Sequence, residues 1–261
     1  MTAILFDQYA TAIKGLSPDE LNDVGSLPSS LEMERDGAIS SYYIPFEYIN
    51  TQAKIVLVGI TPGFTQTRNA LLEAQKQLKA GASNQLALQA AKQTGAFSGP
   101  MRPNLVAMLN YLKINEWLRI KTCDDLFGAS SHLVQTTSAL RFPVFVNNEN
   151  YNGTPNMTKQ PLLKKLLKEY FAEEAGMLKD AIYIPLGPKV SEALNWLGSE
   201  GLIDSSRVFD GMPHPSGANA ERIAYFLDKK QRTDLSIKTD PDKIDRAKAA
   251  LIAKIAKIAK I

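Results

Sequence analysis

The chain has one cysteine and two histidines in 261 residues. A single cysteine excludes a disulfide framework, a four-cysteine zinc site and an all-cysteine iron–sulfur cluster. No apolar run approaches the roughly 18–20 residues that cross a bilayer. The opening Met1-Thr2-Ala3-Ile4-Leu5-Phe6-Asp7 lacks the basic stretch and long apolar core of a secretory signal. A cytoplasmic protein without a membrane partner is therefore expected. Charge of one sign is scarce as well, with 30 basic and 27 acidic residues and a net +3. The excess is local: residues 240–261 hold six basic and three acidic side chains, leaving 24 of each in the rest. Any nucleic-acid site before residue 240 must be a patch rather than a field over the whole domain.

What is present reads as a globular α/β chain, 44% hydrophobic and 22% charged. Four short apolar runs predict buried strands at 53–59, 132–138, 181–186 and 207–212. The first, AKIVLVG, is nearly continuous, as suits a parallel strand covered on both faces. Helical patterns fall between them at 69–79, 84–94, 104–112, 161–171 and 188–197, the last opened by Pro188 after Gly187. Alternation of this kind predicts a three-layer αβα fold with a central, mainly parallel four-stranded sheet. Residues 42–49 are a candidate edge strand weakened by Pro45. Residues 142–158, with five Asn and two Pro, read as a long loop. The expected organisation is one domain over 1–238 and a basic amphipathic helix over 239–261, started by Asp240-Pro241 and ending in IAKIAKIAKI. That helix could pack on the domain, pair with a second copy, attach to DNA or lie on a membrane surface.

Chemistry concentrates in two loops at expected strand ends, where ligands of parallel α/β sheets bind. Gly59-Ile60-Thr61-Pro62-Gly63-Phe64 follows the first strand; its glycines permit close backbone approach and Phe64 offers a stacking face. Met212-Pro213-His214-Pro215-Ser216-Gly217-Ala218-Asn219 follows the last. A histidine held between two prolines has no core-packing rationale, whereas His132, at the start of an apolar run, reads as structural.

Together these motifs resemble the uracil-DNA glycosylase superfamily. Gly59–Gly63 is similar to its first motif, and His214-Pro215-Ser216 to its second, roughly 150 residues later. Phe97–Leu105 resembles a segment leading into a helix, and Ala181–Leu197 the third strand and its helix. The resemblance implies a monofunctional enzyme that flips a base from DNA and excises it, leaving an abasic site without metal or cofactor. It assigns catalysis to His214, as donor to the departing base, and Thr61, at the water-handling position. Gly59, Ile60, Pro62, Gly63, Phe64, Gln135 and Thr136 would form the base pocket. Ser98, Arg102, Asn104, Ser216, Gly217, Asn219 and Arg222 would contact DNA. Arg222 on a solvated helix face and Arg102 in an ion pair are the plainer alternatives.

Two departures shape the expectation. The first motif has Thr61 where an acid or amide is usual, and a hydroxyl orients water but does not deprotonate it near neutral pH; Asp210 or Glu149 could contribute. The second strand reads Val134-Gln135-Thr136-Thr137-Ser138 where an Asn would read the base edge. Ordinary uracil excision is thus disfavoured against a damaged or modified base, such as a modified cytosine of phage DNA, whose substituent could enter 147–156, in a protein of antiviral defence. A DNA-binding member that lost catalysis, and a hydrolase of free nucleotides, are the competing readings.

Overall fold

The structure is a computed structural model that describes residues 5–95 and 101–258. In chain order its elements are α1 (Leu5–Gly15), β1 (Glu32–Asp36), β2 (Ile39–Tyr42), β3 (Ile55–Gly59), α2 (Phe64–Lys79), α3 (Asn84–Gly95), α4 (Met101–Tyr111) and α5 (Ile114–Leu118). There follow β4 (Val134–Ser138), β5 (Val144–Val146), β6 (Glu149–Asn150), α6 (Pro161–Leu166), α7 (Ala172–Met177), β7 (Ile182–Pro185), α8 (Pro188–Ser199), α9 (Ala220–Phe226) and α10 (Pro241–Ile258). The fold is mixed α/β, with a parallel three-stranded sheet and a separate antiparallel one. The chain divides into two compact units. The first comprises Met1–Ile49, Ile60–Ser98 and Thr137–Glu174; the second comprises Asn50–Gly59, Gly99–Thr136 and Ala175–Ile261.

The first unit is built on the antiparallel sheet β1-β2-β5-β6. The β5–β6 hairpin lies inside the segment read as an irregular loop. Asn147 and Asn148 form its two-residue turn at φ 52° and 61°, with Val146 opposite Glu149. Asn tolerates that left-handed backbone at both turn positions, which suits the twist of a tight hairpin. The core joins Phe6 and Ile13 of α1, Ala70, Leu71 and Ala74 of α2, and Phe142 and Phe145 beside the sheet. Tyr9 stacks on buried Tyr43 with ring centroids 4.0 Å apart. Two polar groups buried here are satisfied internally. Arg141 Nε meets Glu174 at 3.1 Å, and Lys92 Nζ donates to the Phe46 carbonyl at 2.9 Å while lying over the Phe46 ring. Burial pulls the Lys92 amine down to about 8.

The second unit is organised around the sheet β4-β3-β7, with β3 wholly buried and paired in parallel to β7, Ile55 opposite Ile182. The expected fourth strand at 207–212 is reduced to a single parallel bridge, Tyr183 with Val208. Gly211 turns the chain at φ +110°, and Pro213 and Pro215 have no amide hydrogen to extend a ladder. The strand predicted from 132 starts at Val134; His132 lies exposed in the preceding turn, rather than buried in a strand. Within this unit α10 packs through Leu251 and Ile255, both buried. Asp240 Oδ1 accepts the Lys243 amide at 3.1 Å and so caps the helix that Pro241 opens.

Candidate active site

Of the first-motif residues, Gly59 ends β3 in the second unit, and Ile60 to Phe64 belong to the first. In the first unit the Thr61 hydroxyl donates to the Phe142 carbonyl at 3.1 Å and accepts the Val144 amide at 3.0 Å. Its one proton is thereby committed to the backbone before β5. The Phe64 amide donates to Asn150 Oδ1 at 2.7 Å and the Gly63 amide to Gln66 Oε1 at 3.2 Å, which closes the start of α2. The Phe64 ring is half-buried against the first unit's core. Pro62 is buried, and Ile60 accepts the Leu140 amide at 3.0 Å.

In the second unit His214 is placed by three local contacts. Its Nδ1 accepts the Ser216 amide at 3.2 Å. A nitrogen that accepts carries no proton, so the neutral ring bears its hydrogen on Nε2. Burial lowers the His214 pKa, since an imidazolium would lose solvation there. Behind the ring lies Gly187, at φ +94°, where an added Cβ would stand 3.0 Å from the His214 Cβ. The loop is anchored from α4, where Asn104 Nδ2 donates to the Pro215 carbonyl at 2.9 Å.

His214 lines a cavity of about 760 Å³ wholly within this unit. Around it stand Ser191, Glu192 and Asn195 of α8, Asp210 and Met212 after the Val208 bridge, Asn219 just before α9 and Arg222 in its first turn. The remaining wall comes from the C-terminal segment: Lys238, Asp240, Lys243, Ile244 and Ala247. Asp210 is held by Asn195 Nδ2 at 3.1 Å and faced by Lys254 at 3.7 Å. Arg222 donates to Asn219 Oδ1 at 2.8 Å and to the Lys238 carbonyl at 3.0 Å, and Asn219 donates to Ser216 Oγ at 3.1 Å.

The cavity therefore gathers His214, Asn219 and Arg222, with Ser216 and Asn104 bonded to its loop. Gly217 is exposed with open space around it. Gln135 is buried, and its Oε1 accepts the Asn50 amide at 3.0 Å, so that oxygen serves the backbone; Thr136 beside it is half-buried. Arg102 stacks its guanidinium 4.6 Å over the Phe127 ring, and its buried Nε has no hydrogen-bond partner; it makes no ion pair among the described residues. Ser98 lies outside the described residues. Sequence reasoning missed Gly187 and the five C-terminal wall residues. The Gly-Pro step after a strand could have marked the first; no local pattern announces the second.

These features define a mixed α/β protein with a cavity lined by one oriented neutral histidine. Over 234 residues, 88% of this chain and 91% of the relative, it is 32% identical to "Uncharacterized protein YoxB" of Bacillus subtilis (strain 168). The chain belongs to the YoxB family. No family model and no solved structure matches it.

Proposed function

We propose that this protein is a monofunctional DNA N-glycosylase that excises a modified or damaged base, including bases of modified phage DNA, and leaves an abasic site. The observation that carries the reading is His214, held neutral by burial with its hydrogen on Nε2 and lining a cavity. In such a reaction water adds to the anomeric carbon, the bond to the base nitrogen breaks, and the base leaves with the electron pair. Negative charge collects on a carbonyl oxygen of the base, where a preorganised N–H donor is worth about 10²–10³ in rate. With Nδ1 occupied by the Ser216 amide, the Nε2–H is the group left to donate to that oxygen. With the Thr61 hydroxyl occupied, we assign water activation to Asp210, in the same cavity as His214. We keep the three-layer αβα description, counting Val208 and Phe209 as a vestigial fourth strand, and a cytoplasmic site of action.

The commitment of Thr61 to Phe142 and Val144 favours a second reading, a DNA-binding member of the same fold without catalysis. Incubation with duplex and single-stranded oligonucleotides carrying a panel of modified bases separates the two through alkali-labile abasic sites. The glycosylase reading expects strand scission after alkali, lost in His214→Ala and kept in His132→Ala. Equal loss in both variants, or no product from any base, would overturn it.

A further inference from the structure

The C-terminal segment contributes more to the second unit than packing. Lys238 and Lys243 are exposed, line the His214 cavity, and have no ion-pair or hydrogen-bond partner for their ammonium groups among the described residues. Arg222 lines the same cavity and is tied to this stretch by its bond to the Lys238 carbonyl at 3.0 Å. The position of the stretch is fixed independently by Glu221, whose carboxylate accepts from Lys230 at 2.8 Å, Ser236 Oγ at 2.6 Å and Thr239 Oγ1 at 2.5 Å. Three cations from α9, the connecting segment and α10 therefore converge on one cavity edge.

Three carboxylates, Asp240, Asp210 and Glu192, line the same cavity. Asp240 Oδ1 accepts the Lys243 amide at the start of α10 and keeps its charge. Asp210 is held by Asn195 and faces Lys254, whose Nζ also donates to the Val208 carbonyl at 2.7 Å. The third, Glu192, belongs to α8, together with Ser191 and Asn195. With Asp210 faced by Lys254, the cavity lining sets Arg222, Lys238 and Lys243 against the two remaining carboxylates, Asp240 and Glu192, with the Asn219 amide among them.

We propose that Lys238 and Lys243, with Arg222, form a phosphate-binding edge of the His214 cavity, so that the C-terminal segment is part of the substrate site and not a separate tether. Assigning the phosphate to a nucleic acid rests on the glycosylase reading; the same edge would also accept the phosphate of a free nucleotide. One group bound there places the attached nucleoside in the cavity that His214 lines.

The test uses the full chain, Lys238→Ala/Lys243→Ala, and Lys257→Ala as a control on the exposed side of α10 outside the cavity. Fluorescence anisotropy follows a single-stranded and a duplex oligonucleotide across a salt series, and calorimetry follows deoxynucleoside monophosphates. Exposed Lys→Ala changes leave stability within about 0.5 kcal/mol, which thermal unfolding checks. For DNA, the double variant is expected to lose about tenfold or more in affinity at low salt, with a salt slope shallower by roughly 1–2; Lys257→Ala stays near wild type. A loss confined to monophosphates transfers the edge to a free-nucleotide substrate. Equal losses in the double variant and Lys257→Ala, an unchanged double variant, or no binding of any probe by the wild type overturns the proposal. Abasic-site formation is scored in parallel. Excision with an unchanged double variant refutes the edge alone, whereas selective loss of binding without excision by the wild type refutes the glycosylase reading alone.

Discussion

Gly187 is where backbone geometry and the position of His214 can be perturbed together. It joins β7 to α8 at φ 94° and ψ 167°. That region is essentially confined to glycine, and an L-residue held there costs about 1–3 kcal/mol. A methyl group would add contacts of 3.0 Å to His214 Cβ and 3.4 Å to its Cδ2. The flanking prolines keep the His214 backbone from yielding, so the ring must move or the β7–α8 turn must distort. We expect Gly187→Ala to destabilise by about 2–4 kcal/mol in total. At about 2–4 °C per kcal/mol for a chain near this size, the midpoint should fall by roughly 4–16 °C. Gly217→Ala is the matched control, because nothing lies within 4 Å of a Cβ there. Calorimetry reads the midpoint, and imidazole resonances read the ring, with His214→Gln assigning the two histidine signals. The His214 titration in Gly187→Ala should move back toward the ordinary histidine value as the ring leaves its buried position. An unshifted midpoint together with an unaltered His214 titration would refute the argument.

His214 should also leave a mark on stability against pH. Its folded pKa lies below the ordinary value of about 6.5, so below that pH the unfolded chain binds the extra proton and stability falls. Above it both states are neutral and His214 contributes no slope. His214→Gln should flatten the loss as pH falls below about 6.5 in urea titrations; an unchanged slope would deny its burial as a neutral ring. Lys92 predicts a separate window, since its amine sits near 8 in the folded state against 10.5 unperturbed. The unfolded chain is the one that stays protonated as pH rises from 8 to 10.5, so wild-type stability should climb across that window and Lys92→Met should remove the climb. Gly211→Ala should loosen α10, because the backbone is at φ +110° and the new Cβ would stand 2.8 Å from Ala247 Cβ. Faster hydrogen exchange confined to α10 and 208–212 checks this, and uniform protection across the second unit would count against it.

What the sequence disclosed depends on how far each signal extends. Long periodic segments such as 84–94 and 188–197 carry several turns of pattern, and α3 and α8 coincide with them within about two residues. The antiparallel sheet was hidden for the opposite reason. β5 spans three residues and β6 two, too short for alternation, while Glu32-Met33-Glu34-Arg35-Asp36 carries charge along a half-exposed strand. At 207–212 the apolar start suggested a strand, but the outcome was decided by Gly211 and the prolines beyond. His214 was legible because a histidine between two prolines in a polar loop has no core-packing rationale. The commitments of Gln135 to the Asn50 amide and of Thr61 to Phe142 and Val144 were not, because their partners are about 80 residues away in the chain.

The C-terminal helix shows why the location of charge outweighs its sum. A helical wheel sets the lysines of IAKIAKIAKI on one arc and the isoleucines on the other, which suggests an outward basic stripe. The packed face is instead centred on Leu251 and Ile255, leaving Ile252 45% exposed. Lys248 and Lys254 lie on that packed side with their stems over aromatic rings. Lys248 lies 5.1 Å from the Tyr111 centroid and donates to the Phe226 carbonyl and Asp228; Lys254 lies 5.7 Å from Phe209 and caps Val208. Long aliphatic stems let a cationic residue bury most of itself while its head finds an oxygen. Two of the tail's six basic residues are thereby consumed in docking the helix, and Lys243 is presented to the His214 cavity. The +3 excess is therefore divided between a joint and a cavity wall. Removing the helix should expose the Val208 and Phe226 carbonyls and open the cavity, a larger change than the loss of three net charges.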